Sequence, residues 1–83
     1  MEKKINTAQA IEVSDIALAA ALCASGFKLD YVWGDRRKTF VFIAENDEEI
    51  RKAMNDYQNR TLSVDARRYA EEMRQLKTLI FNG

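Results

Sequence analysis

The residues best equipped for chemistry in this chain are gathered in one stretch: Tyr31 and Trp33, followed by Arg36, Arg37 and Lys38. Guanidinium groups grip phosphate or carboxylate through paired N–H donors, and aromatic rings stack on planar partners. Trp, Tyr and Arg are also the residue types that dominate protein–protein contacts. The cluster is therefore open to three readings. It is a protein-binding patch, a grip on single-stranded nucleic acid, or a set of core aromatics below a turn that its charges keep soluble.

Other reactive groups are few. The chain has no His, so no imidazole stands ready as a base near neutral pH. The one thiol, Cys23, lies in the apolar run from Ile16 to Ala24 and reads as a small core residue rather than an activated nucleophile. Glu45, Asp47, Glu48 and Glu49 lack calcium-loop spacing, and acids at a helix start are explained by the helix dipole. The glycines at positions 26, 34 and 83 are too dispersed for a phosphate-binding loop. No catalytic residue, metal site or cofactor is expected, and an enzyme is the least favoured class.

These groups must be positioned by a small scaffold. At 83 residues the chain is sized for one domain with a modest core, which makes a homodimer a natural way to gain stability. Lys and Arg number 13 against 13 Asp and Glu, a formal net charge of +0. Proteins that live on nucleic-acid phosphates usually carry a basic excess, so protein contact is preferred over nucleic acid. The apolar run 16–24 is far shorter than the roughly 20 residues that cross a bilayer. Glu12 and Asp15 ahead of it do not suit an export signal, and Leu22 does not suit a lipoprotein box before Cys23. A cytoplasmic protein without membrane attachment is expected.

Residues 1–10 read as a flexible arm, and 11–83 as a single small α+β domain. Ile11–Val13 alternates and offers a short strand. Ser14 stands where an N-cap belongs, before a helix that runs to Ser25 and stops at Gly26, with Phe27 folding back on Leu22. Phe27–Trp33 and Thr39–Ile43 form a β-hairpin around the turn Gly34–Lys38. Alternation places Phe27, Leu29, Tyr31 and Trp33 on one face of the first strand, opposite Lys28, Asp30 and Val32. The second strand is apolar on both faces, as a central strand would be, so Ile11–Val13 or Thr61–Val64 must flank it.

Asn46 with Glu49 makes a capping box for a helix ending near Asn59, with Ile50, Ala53, Met54 and Tyr57 along its inner face. Asp65 caps the last helix and Val64 staples to Tyr69. Tyr69, Ala70, Met73, Leu76 and Ile80 line its buried side. Arg67 with Glu71 and Arg68 with Glu72 form exposed i, i+4 pairs. Leu79 and Phe81 fall outside that stripe, which marks them as candidate dimer contacts. The predicted architecture is a two- to three-stranded antiparallel sheet, built on a central hairpin and packed against three helices, in the order helix, strand, strand, helix, helix.

The run Val13–Leu22 closed by Gly26, the strand Lys38–Phe42 and the helix Val64–Lys77 together resemble a small uncharacterised domain of bacteriophage and bacterial proteins. The resemblance extends over about residues 11–81 and rests on caps and core residues. It implies a phage- or prophage-encoded accessory protein and supplies no catalytic residue.

Overall fold

A computed structural model describes residues 9–82. Its elements are β1 (Gln9–Val13), α1 (Ile16–Ala24), β2 (Tyr31–Trp33), β3 (Thr39–Ala44), α2 (Glu48–Gln58) and α3 (Ala66–Asn82). The sheet is antiparallel with order β1-β3-β2, and the helices cover one of its faces. The expected α+β class is what forms, with Ile11–Val13 supplying the flanking strand. That strand starts at Gln9, so Gln9 and Ala10 belong to the sheet rather than to an arm. The remainder of the expected arm, residues 1–8, lies outside the described residues.

α1 is the centre of the molecule. Leu18, Ala19, Ala20, Ala21, Leu22 and Cys23 are all buried. It is small enough on most sides to fit between α3, α2 and the sheet. Asp15, not Ser14, caps its start: the Asp15 Oδ1 accepts the Ala17 N–H at 2.9 Å. The end follows the expected Schellman pattern. Gly26 takes φ +103, its N–H donates to the Cys23 carbonyl at 3.0 Å, and the Phe27 N–H donates to the Leu22 carbonyl at 3.1 Å.

α2 starts from Asp47, not Asn46, as its N-cap, and the Asn46 Oδ1 accepts the Glu48 N–H at 3.0 Å from one residue further out. Ile50 and Ala53 are buried, and Met54 and Tyr57 pack against the core. Its C-terminus repeats the Schellman geometry without glycine. The Thr61 N–H donates to the Asp56 carbonyl at 2.8 Å while Arg60 sits at φ +61. A side chain in this left-handed region costs about 1–2 kcal/mol, of which glycine would avoid most at some cost in chain entropy. Arg60→Gly is therefore expected to stabilise the protein by about 0.5–1 kcal/mol. Thermal unfolding checks this, and an unchanged or lower midpoint would contradict it.

α3 begins at the predicted cap, with the Asp65 Oδ2 accepting the Arg68 N–H at 2.9 Å. Val64 and Tyr69 meet at one small hollow, as the staple requires. Leu76 is buried, and Tyr69, Met73 and Ile80 pack beside it, but Ala70 faces solvent. Of the two expected ion pairs, Arg68 reaches Glu72 at 3.6 Å, and none between Arg67 and Glu71 forms among the described residues.

The hairpin departs most from expectation. Only Tyr31–Trp33 is strand, because the chain bulges just before it. Tyr31 is the register partner of Val41, yet the Asp30 N–H also donates to the Val41 carbonyl, at 2.9 Å. Two residues thus face one, and the alternation slips by a position. Asp30 then closes the ladder with its side chain, since the Ile43 N–H donates to Asp30 Oδ2 at 2.6 Å. The consequence is a change of face. Phe27 and Leu29 lean on the core from irregular chain, and within β2 it is Val32 that packs inward, while Tyr31 and Trp33 turn out.

Candidate interaction surface

β3 presents Phe40 and Phe42 to the helices, alongside Ile11 and Val13 from β1 and Val32 from β2. The opposite face carries Thr39, Val41 and Ile43, flanked by Ala10 and Glu12 on one side and by Tyr31 and Trp33 on the other. The described helices pack on the other face. Tyr31 is 51% exposed, Trp33 52% and Ile43 47%, yet Val41 between them is 0% exposed. Glu12 and Tyr31 lie directly across from it on the two flanking strands. The result is a largely apolar sheet face on which Tyr31, Trp33 and Ile43 are exposed. Ile43, read from sequence as buried, belongs to it. Its position opposite Val32 in the alternation would have revealed it once the bulge was known.

The hairpin tip stands at one end of this face. Gly34 holds φ +116, and the Lys38 ammonium donates to the Gly34 carbonyl at 2.7 Å. Lys38 is half-buried in closing the loop, so it serves the turn more than any partner. Arg36 and Arg37 are exposed, and neither makes an ion pair among the described residues. Of the five residues singled out from sequence, Tyr31, Trp33, Arg36 and Arg37 are brought together at the surface. Lys38 is the exception.

The expected dimer contacts are also exposed, Leu79 at 49% and Phe81 at 79%. Leu79 lies beside the hairpin. It lines, with Tyr31, Val32 and Lys38, an open slot of about 370 Å³ along the outer edge of β2. All five large apolar side chains that are exposed among the described residues are therefore the three on the open sheet face and the two on the last turns of α3.

Reactive groups elsewhere are quenched by their surroundings. Cys23 is buried where α1 meets α3, and its thiol pKa is pushed up to about 11, by burial first and by the Glu72 carboxylate second, with Arg68 opposing. Asp47 is engaged by Arg51, whose Nε lies 2.5 Å from its carboxylate. Among the described residues no group of three or more His, Cys, Asp or Glu side chains is arranged to hold a metal ion. None of the helices described is long and apolar enough to cross a membrane.

The raised thiol pKa has a measurable consequence. In the unfolded chain the thiol ionises near its ordinary 9.0, but in the fold only near 11, so at pH 8 the native protein holds about a hundredfold less thiolate. Alkylation of native Cys23 at pH 8 is expected to be at least that much slower than in urea. Between pH 9 and 11 the unfolded state releases its proton first, so this group makes stability fall as pH rises through that window. Equal labelling rates in the native and unfolded states would contradict the placement of Cys23.

A three-stranded sheet with helices on one face and aromatics on the other defines a small α+β domain with one open side. The chain belongs to the DUF5659 family, a domain of unknown function, whose family model matches residues 8–82. No curated protein and no solved structure matches it.

Proposed function

We propose that this is a non-enzymatic accessory protein that acts by protein–protein contact through the open sheet face and the hairpin tip. The observation that carries this reading is the outward placement of Tyr31 and Trp33 beside Ile43, with Arg36 and Arg37 at the margin. An apolar patch containing Trp, Tyr and Arg has the composition of a binding hot spot. A formal net charge of +0 suits a protein partner better than a polyanion. The protonated, buried Cys23 and the lack of His support a non-catalytic role. The resemblance of residues 13–22, 38–42 and 64–77 to a domain of phage and bacterial proteins supports a phage- or prophage-encoded protein working in the host cytoplasm.

The test is a quantitative pull-down from lysate of the encoding cells with wild type, Trp33→Ala and Arg37→Ala. A protein retained by wild type and lost by both variants supports the reading, and equal retention by all three sinks it. Arg37 is exposed and Trp33 half-buried, so both variants are expected to stay folded, with Trp33→Ala costing about 1–2 kcal/mol.

Single-stranded nucleic acid is the second reading, favoured by aromatic rings on an open sheet face next to two arginines. Fluorescence anisotropy with labelled single strands at two salt concentrations decides it. Binding that weakens steeply with salt would support this reading, and no binding at low salt ends it.

A further inference from the structure

The free edge of β2 carries a second property of this surface. Ile43 turns its N–H toward the β2 side, to Asp30. By alternation Val41 and Thr39 face the same way, and their partners Tyr31 and Trp33 answer them. Val32 is left with its N–H and C=O directed to the open edge. Among the described residues no strand pairs with that edge, β2 carries no charge or proline within Tyr31–Trp33, and the slot beside it is lined by Leu29, Leu79 and Ile80 together with Asp30 and Lys38.

We infer that the occupant of this slot is β2 of a second copy of the chain, paired antiparallel across a two-fold axis at Val32. The inference rests on the reading of this flank as a protein-contact surface and names its first partner. Three observations favour self-pairing. A two-fold axis at Val32 sets Tyr31 of each copy directly opposite Trp33 of the other, an aromatic cross-strand match that the strand carries within its own three residues. A formal net charge of +0 leaves no long-range repulsion between copies. Leu79 and Ile80 line the slot beside the edge, so an incoming β2 buries apolar side chains of α3 as well as pairing its backbone, which adds to the contact that the two short strands make alone. The pairing joins two three-stranded sheets into one of six. Their open faces become continuous, with four aromatic rings at the centre and a pair of arginines at each side.

Sedimentation equilibrium of the full chain, from micromolar to millimolar, tests this together with disulfide trapping. The 9.6 kDa chain is expected to shift toward twice that mass, and Tyr31→Ser/Trp33→Ser to weaken association at least about tenfold. Tyr31→Cys and Trp33→Cys variants, mixed and oxidised, are expected to give mainly the mixed 31–33 disulfide. That pair is directly opposed, while 31–31 and 33–33 pairs sit diagonally, at about the 7 Å limit for bridging. A monomer at millimolar concentration overturns the inference, as does a dimer whose trapping favours the 31–31 or 33–33 products. If the monomer still retains a foreign protein that Trp33→Ala releases, the contact surface stands and only self-pairing falls.

Discussion

Phe42→Ala is expected to remove most of the stability of this protein. Phe42 is 1% exposed at the centre of β3, paired with Ile11 of β1 and packed under the helices. Truncating a buried phenylalanine to alanine costs about 3–5 kcal/mol, from lost transfer energy and the cavity left behind. A domain of this length holds about 4–12 kcal/mol in total, so the variant sits close to the unfolding transition. Urea denaturation followed by circular dichroism reads the effect directly, and a midpoint within error of wild type would contradict the assigned core face. The contrast with Trp33→Ala is informative. Although tryptophan is the larger residue, only about half of it is buried, which predicts a loss of about 1–2 kcal/mol, well short of the Phe42 cost.

Gly34→Ala is expected to act nearly as strongly, through the backbone. A Cβ at this position would stand 2.2 Å from the Arg37 carbonyl oxygen, and φ +116 is a conformation that side chains rarely adopt. The clash is with main chain, so no rotamer change relieves it, and the turn must open. Opening breaks the Lys38 bond to the Gly34 carbonyl and displaces Arg36 and Arg37 relative to Trp33. A loss of about 2–4 kcal/mol is expected from the strain and the steric conflict together. Gly26→Ala provides the control. Nothing lies within 4 Å of an added Cβ there, so only the conformational cost applies, about 1–2 kcal/mol. Equal losses in the two variants would contradict the tight Gly34 turn.

Much of this architecture was legible because it depends on local rules. Gly26 stops a helix by adopting φ +103, Asp65 caps one by accepting an N–H, and Ile50, Ala53, Met54 and Tyr57 recur at helical spacing. Each is decided within a few residues of its own position. The far edge of β3 could be narrowed only to Ile11–Val13 or Thr61–Val64, since strand pairing over a long separation leaves no local mark.

The candidate surface was picked out by residue type, and its face was misjudged. Alternation from Phe27 to Trp33 treats the run as an unbroken strand, and so assigns Tyr31 and Trp33 to the side of Phe27 and Leu29. The bulge at Asp30 breaks that parity, and one slipped residue reverses every side chain after it. The signal was present in the aspartate itself, a residue depleted from strands and able to substitute for a strand acceptor. Lys38 was grouped with the two arginines at the tip. Its ammonium looked like part of a basic cluster, but the loop carbonyl of Gly34 claims it. Leu79 and Phe81 were read as lying outside the buried stripe, but the nearness of Leu79 to β2 depends on how α3 lies against the sheet, which periodicity does not encode.

Everything proposed for this surface depends on the bulge turning Trp33 outward. Trp33 is the only tryptophan, so its fluorescence reports that one position without labelling. Acrylamide quenching of dilute native protein, compared with the urea-unfolded chain, is the most direct measurement. An outward Trp33 predicts native quenching approaching that of the unfolded chain, with protection appearing only as protein concentration rises and copies pair. Strong protection in dilute, folded protein would place the indole in the core and contradict the account.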